Sequence, residues 1–169
     1  MRLFSLFRRF DLRRPWTSAL LVVLLTASAT VATAAGYDPK ADPAADLEAA
    51  SAQAKEQGKN ILIKVGGEWC SWCHLMDRFI HENKDVESLV EHGFVVLKVN
   101  FSEENKNEAF LARFPAISGY PHLFVLDAAG ELLHSQDTAE LESGKGYAKD
   151  AFVKFLQAWS PAGDDSTRP

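Results

Sequence analysis

Apolar residues along this chain keep two different rhythms. Three short runs rich in β-branched and aromatic residues, at positions 60–65, 94–101 and 122–127, read as buried strands. Elsewhere the apolar residues recur at helical spacing. Leu47, Ala50 and Ala54 share one side of a first helix, and Leu75, Met76, Phe79 and Ile80 share a side of a second. Val86, Leu89 and Val90 mark a further short helix, and Phe152, Phe155, Leu156 and Trp159 fall at i, i+3, i+4 and i+7 of an amphipathic last one. The punctuation agrees. Asp42 suits an N-cap, Pro43 the first helical position and Gly58 a helix stop. Asn83-Lys84-Asp85 makes a break, and Gly93 ends the helix after it. Ser102 is read as the cap of another helix, with Glu103 and Glu104 in its first turn, which buries Ala109, Phe110 and Leu111 and ends at Pro115. Ala128-Ala129-Gly130 is hairpin material, 131–135 the returning strand, and 136–146 a polar, glycine-containing loop. Early strands alternating with helices predict parallel pairing, and the late hairpin adds antiparallel strands, so the fold class is α/β.

At 169 residues, 47% of them apolar, the chain has room for one domain with a real core and a short extra segment. Net charge is −5; residues 1–34 carry five Arg and one Asp, hence +4, and residues 35–169 hold the remaining −9. That acidic balance excludes nucleic acid or an anionic membrane surface as the main partner. Arg2, Arg8, Arg9, Arg13 and Arg14 precede the apolar stretch at 18–25, followed by small residues ending in Ala32-Thr33-Ala34. This order is that of a secretory signal cleaved after Ala34. The alternative is an uncleaved membrane anchor, because the apolar stretch lengthens if its Ser, Thr and Ala are counted. The expected organisation is a signal or anchor at 1–34, a linker at 35–43, one domain at 44–160 and a loose tail at 161–169.

Both cysteines of the chain lie in Trp69-Cys70-Ser71-Trp72-Cys73-His74, where the first strand turns into the second helix. The first turn of a helix has N–H groups without intrahelical partners, and its positive dipole end favours an anion. A cysteine there ionises more readily, and the thiolate is the nucleophile of disulfide exchange. Two cysteines three positions apart can also close on each other, but so small a loop removes little chain entropy and makes a weak brace. The pair therefore reads as redox-active. Gly119-Tyr120-Pro121 runs straight into the third strand. A proline at the head of a central strand offers no ladder hydrogen bond, and a cis X–Pro bond is one reason to find it there.

A strand leading into Trp-Cys-x-x-Cys, a Gly-Tyr-Pro about fifty residues on, then a hairpin and a final helix resembles the thioredoxin fold over residues 44–159. Trp72-Cys73-His74-Leu75-Met76 is also similar to a branch with Trp-Cys-His-x-Met in that place, where the module is often fused to a large second domain. The resemblance implies a central mixed sheet flanked by helices, a cis-proline before the third strand, and here an extra N-terminal helix. It implies that Cys70 is the exposed nucleophile and Cys73 the resolving thiol, joined as a redox-active disulfide. Trp69 would shield and shape the site, and Trp69, Trp72, Tyr120 and Pro121 would bind the substrate, Tyr120 and Pro121 docking its backbone, with simple packing the alternative for both tryptophans. Thioredoxins proper carry a buried acid six residues before the first cysteine, and this chain has Lys64 there. A lysine near the pair favours thiolate; a lysine that snorkels to the surface does not act on it. Glu68 is the carboxylate close in sequence that can substitute for the missing acid.

Two other chemistries compete. Cys70, Cys73 and His74 match the C-x-x-C-H attachment signature of c-type haem, with Met76 nearby as a second ligand. Cys70, Cys73 and His122 are a possible Cu(I) set. His81, His92 and His134 show no ligand spacing. The expected protein is an exported thiol–disulfide oxidoreductase of the bacterial periplasm, with no bound cofactor or metal. Its partners are protein thiols and disulfides and an unidentified redox donor or acceptor, and it meets the membrane only if residues 1–34 remain attached.

Overall fold

The computed structural model describes residues 36–161. Helix α1 (Pro43–Gln57) starts on Asp42, whose carboxylate accepts the Ala44 and Ala45 N–H groups, and ends on Gly58 in the left-handed region at φ 64°. Strand β1 (Asn60–Gly66) follows, then α2 (Ser71–Glu82), α3 (Lys84–Gly93), β2 (Phe94–Asn100), a one-turn α4 (Glu108–Leu111) and β3 (His122–Leu126). The chain closes with β4 (Leu132–Asp137), a 3-10 turn (Thr138–Leu141), a two-residue ladder of β5 (Glu142–Ser143) with β6 (Gly146–Tyr147), and α5 (Lys149–Trp159).

The main sheet runs β2-β1-β3-β4, with β1 and β2 parallel and the other neighbours antiparallel. Alternation along the strands sorts the side chains by face. Ile61, Ile63, Val65, Val95, Leu97, Val99, Phe124 and Leu126 pack with Leu47, Ala50 and Ala54 of α1 on one face. Leu62, Phe94, Leu123 and Val125 pack on the other with Met76 of α2, Val86 and Val90 of α3 and Phe152, Phe155 and Leu156 of α5. The mixed sheet flanked by helices, the added N-terminal helix and the cis Tyr120–Pro121 bond before β3 are all present.

Two sequence expectations are corrected. Ser102 caps no helix: α4 begins at Glu108 after Asn107, which sits in the left-handed region at φ 50°. The Asn100 side chain donates to Ser102 Oγ and to the Asn105 carbonyl, and the Asn107 side chain donates to the Asn100 carbonyl. These local bonds offer the backbone an alternative to helix over 101–107. Of the three residues expected to be buried there, Phe110 is, Leu111 is half-buried and Ala109 is exposed. The second correction concerns 136–146. β4 runs on to Asp137 because Gln136 pairs with Leu123 and turns inward, and the 3-10 turn and small ladder then bury Leu141 and Tyr147. No helix among the described residues is long and apolar enough to cross a membrane. The signal or anchor expected at 1–34 lies outside the described residues, as does the tail beyond 161.

Candidate active site

β1 ends at Gly66, and three residues later Cys70 becomes the N-cap of α2. Its Sγ accepts the Cys73 N–H at 3.1 Å, and its carbonyl accepts the His74 N–H at 3.2 Å. The capping role that Ser or Asp usually fills is thus held by a sulfur, which the unpaired N–H groups and the helix dipole favour as an anion. Cys70 and Cys73 are joined as a disulfide. Cys73 is fully buried, and Cys70, expected to be exposed, is buried as well at 3% exposure, enclosed by Tyr37, Trp72 and Tyr120. Gly66 is required beneath them: a Cβ there would collide with Cys73 Sγ.

Aromatic side chains frame the pair. Trp69 is 58% exposed and is held by its indole N–H, which donates to the Phe101 carbonyl at 2.7 Å. It meets Tyr120 edge-on at 5.7 Å, and Tyr120 stacks on Phe101 at 4.8 Å. Trp72 and Tyr120 both pack against the disulfide. Trp72 is fixed from behind by Tyr147, whose ring meets it edge-on and whose hydroxyl donates to its carbonyl at 3.3 Å. Pro121 is buried, and its carbonyl accepts from Thr138 Oγ1 at 2.6 Å. A cleft of about 570 Å³ opens beside Trp69, walled by Phe101, Glu68, Glu103 and Glu104.

The charges below the pair come from three elements. Lys64 on β1 and Lys98 on β2 are directly opposite in the parallel register. Two like charges so placed repel. Asp77 on α2, one helical turn past Cys73, resolves this: its Oδ1 accepts from Lys64 and its Oδ2 from Lys98 at 2.9 Å. Lys64 is 3% exposed, so the snorkelling alternative is set aside. Burial holds its ammonium below the ordinary lysine range, and Asp77 opposes that. For Asp77 burial pushes upward, but the two lysines outweigh it and hold the carboxyl below its usual range. Glu68 is exposed; it accepts the Tyr37 N–H at 2.7 Å and lies 3.6 Å from His74 Nε2.

A family described as Thioredoxin-like matches residues 42–128, just over half of the chain. The chain belongs to this family. It is similar to the thiol:disulfide interchange protein DsbD of Vibrio cholerae, 28% identical over 86 residues, which are 51% of this chain and 14% of that protein. It is also similar to human spermatogenesis-associated protein 20, 33% identical over 51 residues, 30% of this chain and 6% of that one. Among solved structures, a disulphide isomerase from Xylella fastidiosa superposes with a TM-score of 0.62 at 22% identity, covering 72% of this chain and 94% of its own, and so shares the fold. The chain thus spans a small part of the curated relatives it matches and nearly the whole of this compact structural neighbour.

Within the thioredoxin-like frame, the fold brings Cys70, Cys73, Trp69, Trp72, Tyr120 and Pro121 to one end of the sheet and puts Lys64 underneath. His122 faces away from any ligand set: it is 3% exposed, and its Nε2 is bonded to Ser135 Oγ at 2.9 Å. Among the described residues no group of three His, Cys, Asp or Glu is placed to hold a metal ion. Three residues of the site escaped the sequence reading. Asp77 had a signal, four positions after Cys73 on the same helix. Lys98 needed the β1–β2 register. Tyr37, 2% exposed and packed against both cysteines, precedes the family match and had none.

Proposed function

We propose that this chain is a thiol–disulfide oxidoreductase that exchanges disulfides with cysteines of other proteins and works outside the cytoplasm. The observation that carries the reading is the Cys70–Cys73 disulfide at the start of α2, with Cys70 Sγ as the cap. In the reduced protein the Cys70 thiolate attacks a partner disulfide; the Cys70–partner bond forms and one partner sulfur leaves as thiolate. Cys73 then loses its proton to solvent and attacks Cys70 Sγ. The Cys70–Cys73 bond forms, and the electron pair leaves on the second partner sulfur, which is protonated by water. Two electrons pass from the dithiol to the partner, and the reverse sequence donates a disulfide. Trp69, Tyr120 and Pro121 dock the partner's backbone around Cys70, with Trp72 bracing the helix start. Lys64 and Asp77 set the field beneath the sulfurs, and Glu68 adjusts it from the rim. Residues 1–34, with their basic, apolar and A-x-A segments, support export to an oxidising compartment such as the periplasm.

The test is mixed-disulfide trapping with a disulfide-bonded protein substrate. Cys73→Ala accumulates the covalent complex on a non-reducing gel, whereas Cys70→Ala yields none and its exchange rate falls to background. Exchange by Cys70→Ala at the parent rate overturns the reading. So does stoichiometric Cu(I) retention by a reduced protein that exchanges no disulfide. Equilibration against glutathione then sorts the direction: a potential near about −270 mV marks a reductant and one towards about −120 mV a disulfide donor.

A further inference from the structure

Tyr37 is the one member of the disulfide's immediate packing that lies ahead of the family match. It is 2% exposed and anchored at its N–H by Glu68 at 2.7 Å, with Lys98 Nζ 5.4 Å from its ring centre. The hydroxyl of Tyr37 is buried and makes no hydrogen bond, a condition that normally demands an explanation. The explanation lies next to it. The point where a Cβ on Gly66 would sit is 3.2 Å from Tyr37 Oη, and that same point falls within the contact shell of Cys73 Sγ. The absent Cβ at position 66 is what lets the phenol and the sulfur share this space.

A disulfide sulfur is a poor acceptor, and a thiolate is a strong one. We propose that Tyr37 Oη is the hydrogen-bond donor reserved for the Cys73 thiolate, unpartnered in the disulfide and engaged when the resolving sulfur carries its charge. This deepens the exchange reading and rests on it. Tyr37 gives up no proton: burial first, then Asp77, pushes its hydroxyl far above the ordinary phenol range. Its part is to hold charge on Cys73 in an otherwise apolar position, so that the attack on Cys70 Sγ begins from a populated thiolate. The charged and titratable groups around it are Lys64 on β1, Lys98 on β2, Asp77 on α2, Glu68 with His74 at the helix start, and Tyr147 on β6. All of them remain in a Tyr37→Phe variant, which removes one oxygen and keeps the ring.

The experiment follows the Cys73 thiolate by its ultraviolet absorbance against pH in the full chain carrying Cys70→Ser. With Tyr37→Phe added, the titration midpoint moves up, and the thiolate fraction below it falls about tenfold, the loss of one hydrogen bond to a charged group. Superimposable titrations overturn the proposal. A singly fluorinated tyrosine at position 37, of nearly the same shape but a stronger donor, moves the midpoint down. A shift of the same sign as Tyr37→Phe means packing rather than hydrogen bonding and also overturns it. Exchange of the parent protein with glutathione disulfide is read separately. Its absence defeats the oxidoreductase reading, while the Cys73 titration still decides the role of Tyr37.

Discussion

The two faces of the sheet are built from the same strands yet end differently where the disulfide sits. On the α1 face, Ile61, Ile63 and Val65 run apolar along β1, and Val95, Leu97 and Val99 along β2. On the opposite face Leu62 gives way to Lys64 and Gly66, and Phe94 and Val96 give way to Lys98 and Asn100. The far end of that second face is ordinary core, closed by Phe152, Phe155 and Leu156. The near end holds a buried cation, a carboxylate shared by two lysines, an unpartnered phenol and a glycine adjoined by both that phenol and a sulfur. One face thus stays apolar along both parallel strands and holds the fold together. The other does so over half its length and holds charge under the cysteines over the rest. The switch occurs at the C-terminal ends of the two parallel strands, the end of an α/β sheet at which sites form.

Phe124 is fully buried and stacks on Phe114 at 4.8 Å. Phe124→Ala is expected to cost about 3–5 kcal/mol of folding stability, read by urea denaturation, with no change in the Cys70 thiol titration of whatever protein remains folded.

On the polar side, Asp77→Ala strands the buried Lys64 ammonium and brings it face to face with Lys98. The expected loss is about 3 kcal/mol. The double variant Lys64→Met with Asp77→Leu removes both charges of that pair and should lose less than Asp77→Ala alone, because the buried Lys64 ammonium is no longer there to be stranded. If the double variant is the less stable of the two, the charges beneath the disulfide stabilise the fold rather than serving the site. Asp77 contributes its share of stability above the ordinary carboxylate range, and that share is lost as pH falls through its depressed value.

The smallest effect belongs to His122, the polar residue at the site end of the α1 face. Burial holds its imidazole below the ordinary histidine value, helped by His134 and opposed by Asp137. Below about pH 6.5 the unfolded chain therefore binds a proton that the folded one refuses, and stability falls with pH until the lowered folded value is passed. Thermal unfolding midpoints measured across that window should slope downward on acidification, and His122→Gln should flatten the slope. An unchanged slope places the acid sensitivity elsewhere, above the range where Asp77 acts.

The Cys70–Cys73 pair, the buried strand feeding it and the cis-proline ahead of β3 were legible because each is local. A β-branched run, a two-residue spacing and an X–Pro bond carry their geometry with them. The helix expected after Ser102 failed for an equally local reason, since side-chain amides took the bonds a helix would have used, and that competition leaves no periodic trace. Residues 136–146 looked like loop because polar residues there point inward only in the company of Leu123 and Tyr147.

Periodicity and spacing, which act within a few residues, carry the class of fold and the two sulfurs. What surrounds them depends on how the elements meet. The parallel register set Lys98 opposite Lys64, the docking of α2 on the sheet brought Asp77 between them, and the segment before α1 folded back to lay Tyr37 against Cys73. These contacts join residues far apart in the chain: Lys64 and Asp77 are 13 positions apart, and Tyr37 is 31 from Glu68, which anchors it. No pattern within one element encodes such a meeting. It exists once the two apolar faces have been buried and the strands have taken their order.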